Sequence, residues 1–258
     1  RSVNKLRLMP ATEGVRHLVE ELRAGTPRSE IVISDDEYFL QYHSPEILLR
    51  DSAHLIKPTT DLDTLPLVDA IVANSPGHLV TTLQLDPTSD PFLLEHRMKG
   101  HPCLPMVAAI DAIAESASLL DERFLLAMRN IKADNALRFF NDRPQSANVT
   151  LEDDGERVRA RLTADFCNRA GQLVDADREY ARCEIVLGDD VVSDQAPTLQ
   201  PPEQWTLFRY ADDAPMTHGE IFRGLQEIAL DQNSGWGRLL AVPTARMQGR
   251  REGEQWFV

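Results

Sequence analysis

Cysteine is scarce in this chain of 258 residues. Only Cys103, Cys167 and Cys183 occur. An odd count with no C-x2-C pair argues against a zinc site or a disulfide framework, so a reducing, cytoplasmic setting is expected. Cys103 reads as a small buried thiol filling space rather than as a nucleophile. Positive charge is also short: Lys and Arg number 27 against 41 Asp and Glu, a net charge of −14. No basic field is available for nucleic acid, and that partner class is excluded. An acidic partner would need a local basic patch, for which Arg178, Arg182, Arg209 and Arg223 are the candidates. No run approaches the roughly 18 apolar residues that span a bilayer, so no membrane partner is expected. No phosphate-cradling glycine loop, H-E-x-x-H helix or G-x-S-x-G elbow occurs; no metal site and no cofactor are implied. The opening Arg1-Ser2-Val3-Asn4-Lys5-Leu6 is not a signal peptide and lacks an initiator Met, which suggests a piece of a longer or processed chain.

What is present is one dense run from Asp90 to Pro105. In it His96, Gly100 and Pro105 take the spacing H-x3-G-x4-P. A small-residue apolar segment follows at once, from Met106 to Ala114, and predicts a buried helix ending near Leu120. Histidine titrates near neutral pH without help, so a loop His96 suits a general base. Gly100, without a Cβ, would let backbone approach a substrate closely. Pro105 fits the first turn, where its missing N–H costs nothing. The helix N-terminus can stabilise charge on a carbonyl. Asp111, alone among apolar neighbours on that helix, is equally readable as an acid or as a buried carboxylate satisfied by backbone groups. His101 is a bystander.

Around the motif the pattern is mainly β. His78 to Leu85 alternates as a strand. Further strands are expected over Phe124–Ile131, Ala136–Phe140, Ala147–Leu151, Arg157–Phe166 and Tyr180–Leu187, with turns at 141–144, 153–155 and 169–171. Apolar and polar residues alternate along Val158 to Ala164, giving one wet and one dry face. A long apolar helix followed by an antiparallel meander implies an α+β hotdog fold, a sheet wrapped around a central helix. Upstream, Thr12 caps a helix carrying Val15, Leu18, Val19 and Leu22, and Glu30–Ile33 is a short strand. The expected organisation is a leading segment 1–45, a connector 46–76, a first and complete hotdog 77–190, a linker 191–204 and the truncated start of a second hotdog at 205–258.

The run from Asp90 to Pro105 resembles the active-site loop of dehydratase domains in polyketide synthases and polyunsaturated fatty acid synthases. Asn130-Ile131 and Asn135 to Phe140 resemble the strand after their hotdog helix. His218-Gly219-Glu220-Ile221-Phe222-Arg223-Gly224-Leu225 is similar to the Y-G-P-x-F-x-G-L stretch that opens the second hotdog, with His218 in place of tyrosine and Glu220 in place of proline. Residues 7–35 look like the tail of a ketoreductase domain.

The resemblance implies a double hotdog that removes water from a 3-hydroxyacyl thioester. The acyl chain would be carried on the phosphopantetheine of an acyl carrier protein, among other megasynthase domains. It implies His96 as base, with Gly219, Phe222 and Arg223 lining the substrate tunnel beside His218. The usual acid, an aspartate early in the second hotdog's helix, would fall just after Val258. Asp111 stands where the single-hotdog fatty-acid dehydratases have a glutamate. A homodimer is expected, since hotdog units pair through their sheets. A hotdog thioesterase with Asp111 as base, and a non-catalytic docking or template domain, remain the alternatives.

Overall fold

The computed structural model describes residues 46–48, 58–188, 203–211, 214–230, 235–240 and 245–251. The helix and strand expected within 1–45, and the proline-rich linker 191–202, lie outside the described residues. No described helix is long and apolar enough to cross a membrane.

Thirteen strands and three short or medium α-helices follow in chain order among the described residues. They are β1 (Glu46–Leu48), β2 (Ala70–Ser75), β3 (His78–Leu85), α1 (Pro91–Leu94), β4 (His96–Met98), β5 (His101–Pro102) and α2 (Met106–Ser118). Next come β6 (Phe124–Lys132), β7 (Gln145–Asp153), β8 (Val158–Cys167) and β9 (Leu173–Gly188). The last are β10 (Thr206–Leu207), β11 (Met216–His218), β12 (Leu225–Leu230), β13 (Gly235–Leu239) and α3 (Ala245–Gln248).

Seven strands form one antiparallel sheet in the order β1-β6-β9-β8-β7-β3-β2. It packs on α2 through β3, β6, β7 and β8. Residues 108–118 of α2 are all buried. Five of them, Ala108, Ala109, Ala112, Ala114 and Ala117, are alanines, which let the sheet come close around the helix while Ile110 and Ile113 fill the gaps. This is the hotdog arrangement the sequence implied. Val158, Ala160 and Leu162 of β8 point into the core. Between them Arg159 and Arg161 stand outside and pair with Asp154 and Glu152. The predicted alternation is therefore the real register.

The strand expected over Ala136–Phe140 is not one. Leu137 and Phe139 are buried, so the alternation is genuine. However, the segment lies against the end of the histidine motif rather than against a strand. Among the described residues it pairs through a single bridge, Cys103 with Arg138, framed by Leu104 N–H to Leu137 O (2.9 Å) and Phe139 N–H to Pro102 O (2.9 Å). The later part of the chain forms a small sheet, β10-β12-β13, and lends β11 to a third sheet, β11-β4-β5.

Candidate functional site

The motif opens with Asp90 and the one-turn helix α1, which Pro91 starts. His96 was expected in a loop; it lies on strand β4. The reason is the tight β4–β5 hairpin. Met98 pairs with His101, and the two residues between them, Lys99 (φ 51°) and Gly100 (φ 81°), both take left-handed conformations. Such a two-residue turn matches the twist of its strands and favours glycine. A Cβ there would meet no protein atom within 4 Å, so within the protein itself it is the backbone angle that calls for glycine. Pro105 is also displaced by one position. It is the residue before the first turn of α2 (φ −62°, ψ 144°), and its carbonyl accepts the first helical bond from Ala109 (3.1 Å). Proline's fixed φ suits that extended entry. No side chain caps the helix, so the N–H groups of its first turn face whatever lies in front of them.

The His96 side chain is 8% exposed. Its Nδ1 lies 2.9 Å from the carbonyl oxygen of Cys103. A carbonyl can only accept, so Nδ1 carries the hydrogen and Nε2 carries the lone pair. The backbone repeats the tie, with Cys103 N–H donating to His96 O (2.9 Å). Cys103 itself is buried, its thiol pushed up to about 11, which suits a space-filling residue and not a nucleophile.

Across from β4 runs β11, with His218 directly opposite His96. The ring centroids are 5.4 Å apart, and Phe222 closes the cluster at 5.7 Å from His96 and 6.3 Å from His218. Burial pulls the His96 pKa below its ordinary value. The Cys103 hydrogen bond opposes that, and the neighbouring His218 adds to it. Burial and the Arg223 charge lower His218 likewise.

Gly219 is where the two strands come closest. Its N–H donates to Glu95 O (2.6 Å), and a Cβ there would sit 2.6 Å from Glu95 Oε2 and 2.7 Å from its Cβ. The same Oε2 accepts from Ile221 N–H at 2.8 Å. Gly219 thus serves strand contact, while Phe222 is the tunnel candidate that faces His96. Arg223 is turned back, its Nε donating to His218 O (2.7 Å) and its guanidinium lying 5.8 Å from the Tyr210 ring. His101 stacks edge-on against Phe140 at 4.9 Å, outside the cluster.

Asp111 is buried inside α2, one turn before Glu115. Sequence reading missed Glu115, which is fully buried. Its Oε2 accepts from Leu67 N–H (2.8 Å) and Val68 N–H (3.0 Å), while Oε1 has no partner among the described residues. Burial first, and the Asp111 charge second, raise its pKa well above the ordinary carboxylate value. The signal was there: Glu115 repeats Asp111 at i+4 on an otherwise apolar helix.

Arg251 was also missed. It is 4% exposed and reaches Asp90 (Nε to Oδ1 2.9 Å), Pro66 O (3.0 Å), Leu67 O (3.3 Å) and Gln84 O. Nothing local marks it, because its partners stand far away in sequence. The four arginines proposed as a patch do not share one set of partners. Arg178 binds Asn135 and lies over Phe166, whereas Arg182 pairs with Asp134 and Glu179. Two hollows, of about 450 and 500 Å³, lie over the β6–β9 region of the sheet and include none of the motif residues.

A helix wrapped by an antiparallel sheet, with a buried histidine beside the helix entry, is a hotdog arrangement. Residues 66–165 match the family described as polyketide synthase dehydratase domain. Among solved structures, the erythromycin dehydratase superposes with a TM-score of 0.53 at 18% identity, covering 70% of this chain and 68% of that one. The dehydratase domain from the CurJ module of the curacin polyketide synthase gives 0.51 at 14% identity, covering 71% and 66%. At those identities the likeness is one of fold. The 3-hydroxyacyl-(acyl-carrier-protein) dehydratase FabZ of Nitrosospira multiformis is 36% identical over 77 residues, 30% of this chain and 49% of that protein. The chain therefore spans about half the length of that curated relative.

Proposed function

We propose that this chain is part of a dehydratase that converts a 3-hydroxyacyl thioester into an enoyl thioester and water. One observation carries the reading: the Nδ1–H of His96 is committed to the Cys103 carbonyl, which fixes Nε2 as a bare base in a buried seam beside the entry of α2. The base removes a proton from Cα. The electron pair forms the Cα–Cβ double bond, and the hydroxyl leaves from Cβ as water. Negative charge develops on the thioester oxygen meanwhile, and the uncapped first turn of α2 offers N–H groups and a favourable field for it. Phe222 gives the acyl chain an apolar wall.

The step is redox-neutral and calls on no cofactor of its own. The relative that acts on 3-hydroxyacyl chains held by acyl carrier protein supports a carrier-borne substrate, delivered on phosphopantetheine within a megasynthase. A homodimer is the assembly proposed with it. Asp111 within α2 is this chain's candidate to protonate the leaving hydroxyl, and the resemblance puts the usual acid in residues that would follow Val258.

The test is turnover of a 3-hydroxyacyl pantetheine thioester, followed by enoyl absorbance. The chain is expected to form enoyl product, and His96→Ala to slow it by about 10²-fold or more. A wild-type chain without turnover, or an unchanged His96→Ala variant, overturns the assignment.

A further inference from the structure

We propose that Arg251 is a positioning residue for His96: it grips Asp90 and, through the one-turn helix α1, fixes where the base stands on β4. The inference rests on the dehydratase reading above. It goes beyond that reading by making the place of the base depend on a residue from the later part of the chain.

Asp90 and His96 are separated by α1 and Glu95 alone. A single helical turn does not hold its own shape in water. Asp90 is its N-cap residue, and an aspartate there ordinarily accepts from N–H groups of the first turn. This carboxylate does not cap α1. Its Oδ2 accepts from Asp86 N–H (2.8 Å), and its Oδ1 from Arg251 Nε (2.9 Å). The local cap is given up for a tie across 161 residues of chain.

Each nitrogen of the Arg251 guanidinium donates at this place. Beyond Nε, Nη1 reaches Pro66 O (3.0 Å) and Leu67 O (3.3 Å), and Nη2 reaches Gln84 O and Asp90 Oδ2 (3.3 Å). Asp69 stands 3.6 Å from Nη1, and Arg250 Nε lies 3.3 Å from Asp90 Oδ1. The guanidinium also lies 5.8 Å from the ring centroid of Phe92, a fully buried residue of α1. One planar group therefore joins the segment before β2, the end of β3 and the start of the motif. The point charge of a lysine does not match that set of acceptors.

The far end of α1 leads straight into the site. Glu95 N–H bonds Pro91 O (3.0 Å), and Glu95 O accepts from Gly219 N–H (2.6 Å). His96 follows, with its Nδ1 on the Cys103 carbonyl (2.9 Å). So α1 is pinned at its entry by Arg251 and at its exit by Gly219. With the entry released, the turn pivots on its exit and carries Glu95 and His96 with it. A displacement of about 1 Å near a reacting group can lower the rate about 10²-fold. Stability alone is a poor reason for such a pair, since apolar residues of similar size often replace a buried ion pair without loss.

The experiment compares the full chain as wild type, Arg251→Met, Arg251→Lys and the Asp90→Asn, Arg251→Met double variant, each below its melting temperature and corrected for folded fraction. It measures kcat and KM on the 3-hydroxyacyl pantetheine thioester and follows the His96 ring by nitrogen NMR. Arg251→Met should lose about 10-fold or more in kcat, with KM held within about twofold. The double variant should regain stability but not kcat. Arg251→Lys, which keeps the charge without the fork, should also stay below wild type. The wild-type ring should show the single Nδ1–H tautomer; in Arg251→Met and in the double variant the two tautomers should mix as the Cys103 bond loosens. Recovery of kcat together with stability in the double variant, or unchanged ring signals in it, overturns the proposal and leaves the dehydratase reading standing. A wild-type chain without turnover overturns that reading instead, and the ring signals then decide the placement of His96 by themselves. If Arg251→Met does not fold, the double variant decides.

Discussion

Two regions of this molecule bury ionisable side chains, and they do so in opposite ways. In the helix interior, Asp111, Glu115 and Ser116 of α2 are buried in the driest part of the core. Their polar atoms are turned to structure. Glu115 holds the backbone of Leu67 and Val68, and Ser116 bonds Ala112 O (2.7 Å) and shares a hydrogen bond with Thr81 (2.7 Å). At the seam between β4 and β11, His96 and His218 face one another, and Nδ1 of His96 is tied to the Cys103 carbonyl. Hydrogen bonds to distant backbone make Glu115 and Ser116 fasteners, whereas a ring nitrogen turned toward a neighbouring ring suits proton transfer.

The comparison breaks most sharply at Arg251, which ends a chain of contacts starting at the helix interior. Its carbonyl acceptor Leu67 is the residue whose N–H binds Glu115, and its carboxylate partner Asp90 is fully buried. Arg251→Met takes away the buried partner of that carboxylate and leaves it Arg250 (Nε to Oδ1 3.3 Å) and the Asp86 N–H (2.8 Å). The expected loss is about 3–5 kcal/mol of stability, measured by urea unfolding, and the Asp90→Asn, Arg251→Met double variant should recover part of it. Equal stability of the single and double variants would show that Asp90 finds another partner.

At the seam, Gly219→Ala drives a methyl into Glu95. We expect about 1–3 kcal/mol of destabilisation, together with a fall in turnover larger than the same loss of stability produces when made in the helix interior. Unfolding curves and kcat, measured side by side, check both parts. If stability falls and kcat does not, the strand spacing is irrelevant to the chemistry.

The helix interior has its own pH signature. The Glu115 pKa is raised in the folded state, chiefly by burial. The folded protein then holds a proton that the unfolded chain releases near 4.5. Stability from this group is complete below that value and is lost as pH rises toward the folded pKa. Glu115→Gln cannot ionise and should flatten this part of the profile of melting temperature against pH. The seam histidines act with the opposite sign, their lowered pKa values costing stability as pH falls below about 6.5. The smallest effect belongs to Gly100→Ala. It strains one left-handed position at the hairpin tip by about 1 kcal/mol and touches no ring, so kcat should hold while the melting temperature drops slightly.

Much of the fold was legible. The alanine-rich run after Pro105 could only be a buried helix, and the alternation in β3 and β8 gave their dry faces directly. The segment from Ala136 to Phe140 shows the limit of that method. Its alternation reports burial on one side, but a strand also needs a partner, and its partner is the end of the motif. His96 and Phe222 were named as candidates by the resemblance, and the structure sets their rings 5.7 Å apart. The reason for Gly100 was not legible, since a hairpin turn and a close approach to a ligand leave the same mark in a sequence.

The amino-acid sequence by itself determined the order of elements, the buried central helix and the histidine placed just before it, because each depends on residues within a few positions of one another. Only the tertiary structure decided what those residues meet: His218 opposite His96, Glu115 under Leu67, and Arg251 against Asp90. Such pairings close long loops. Their entropic cost is met by the whole core folding at once, so no local pattern needs to announce them.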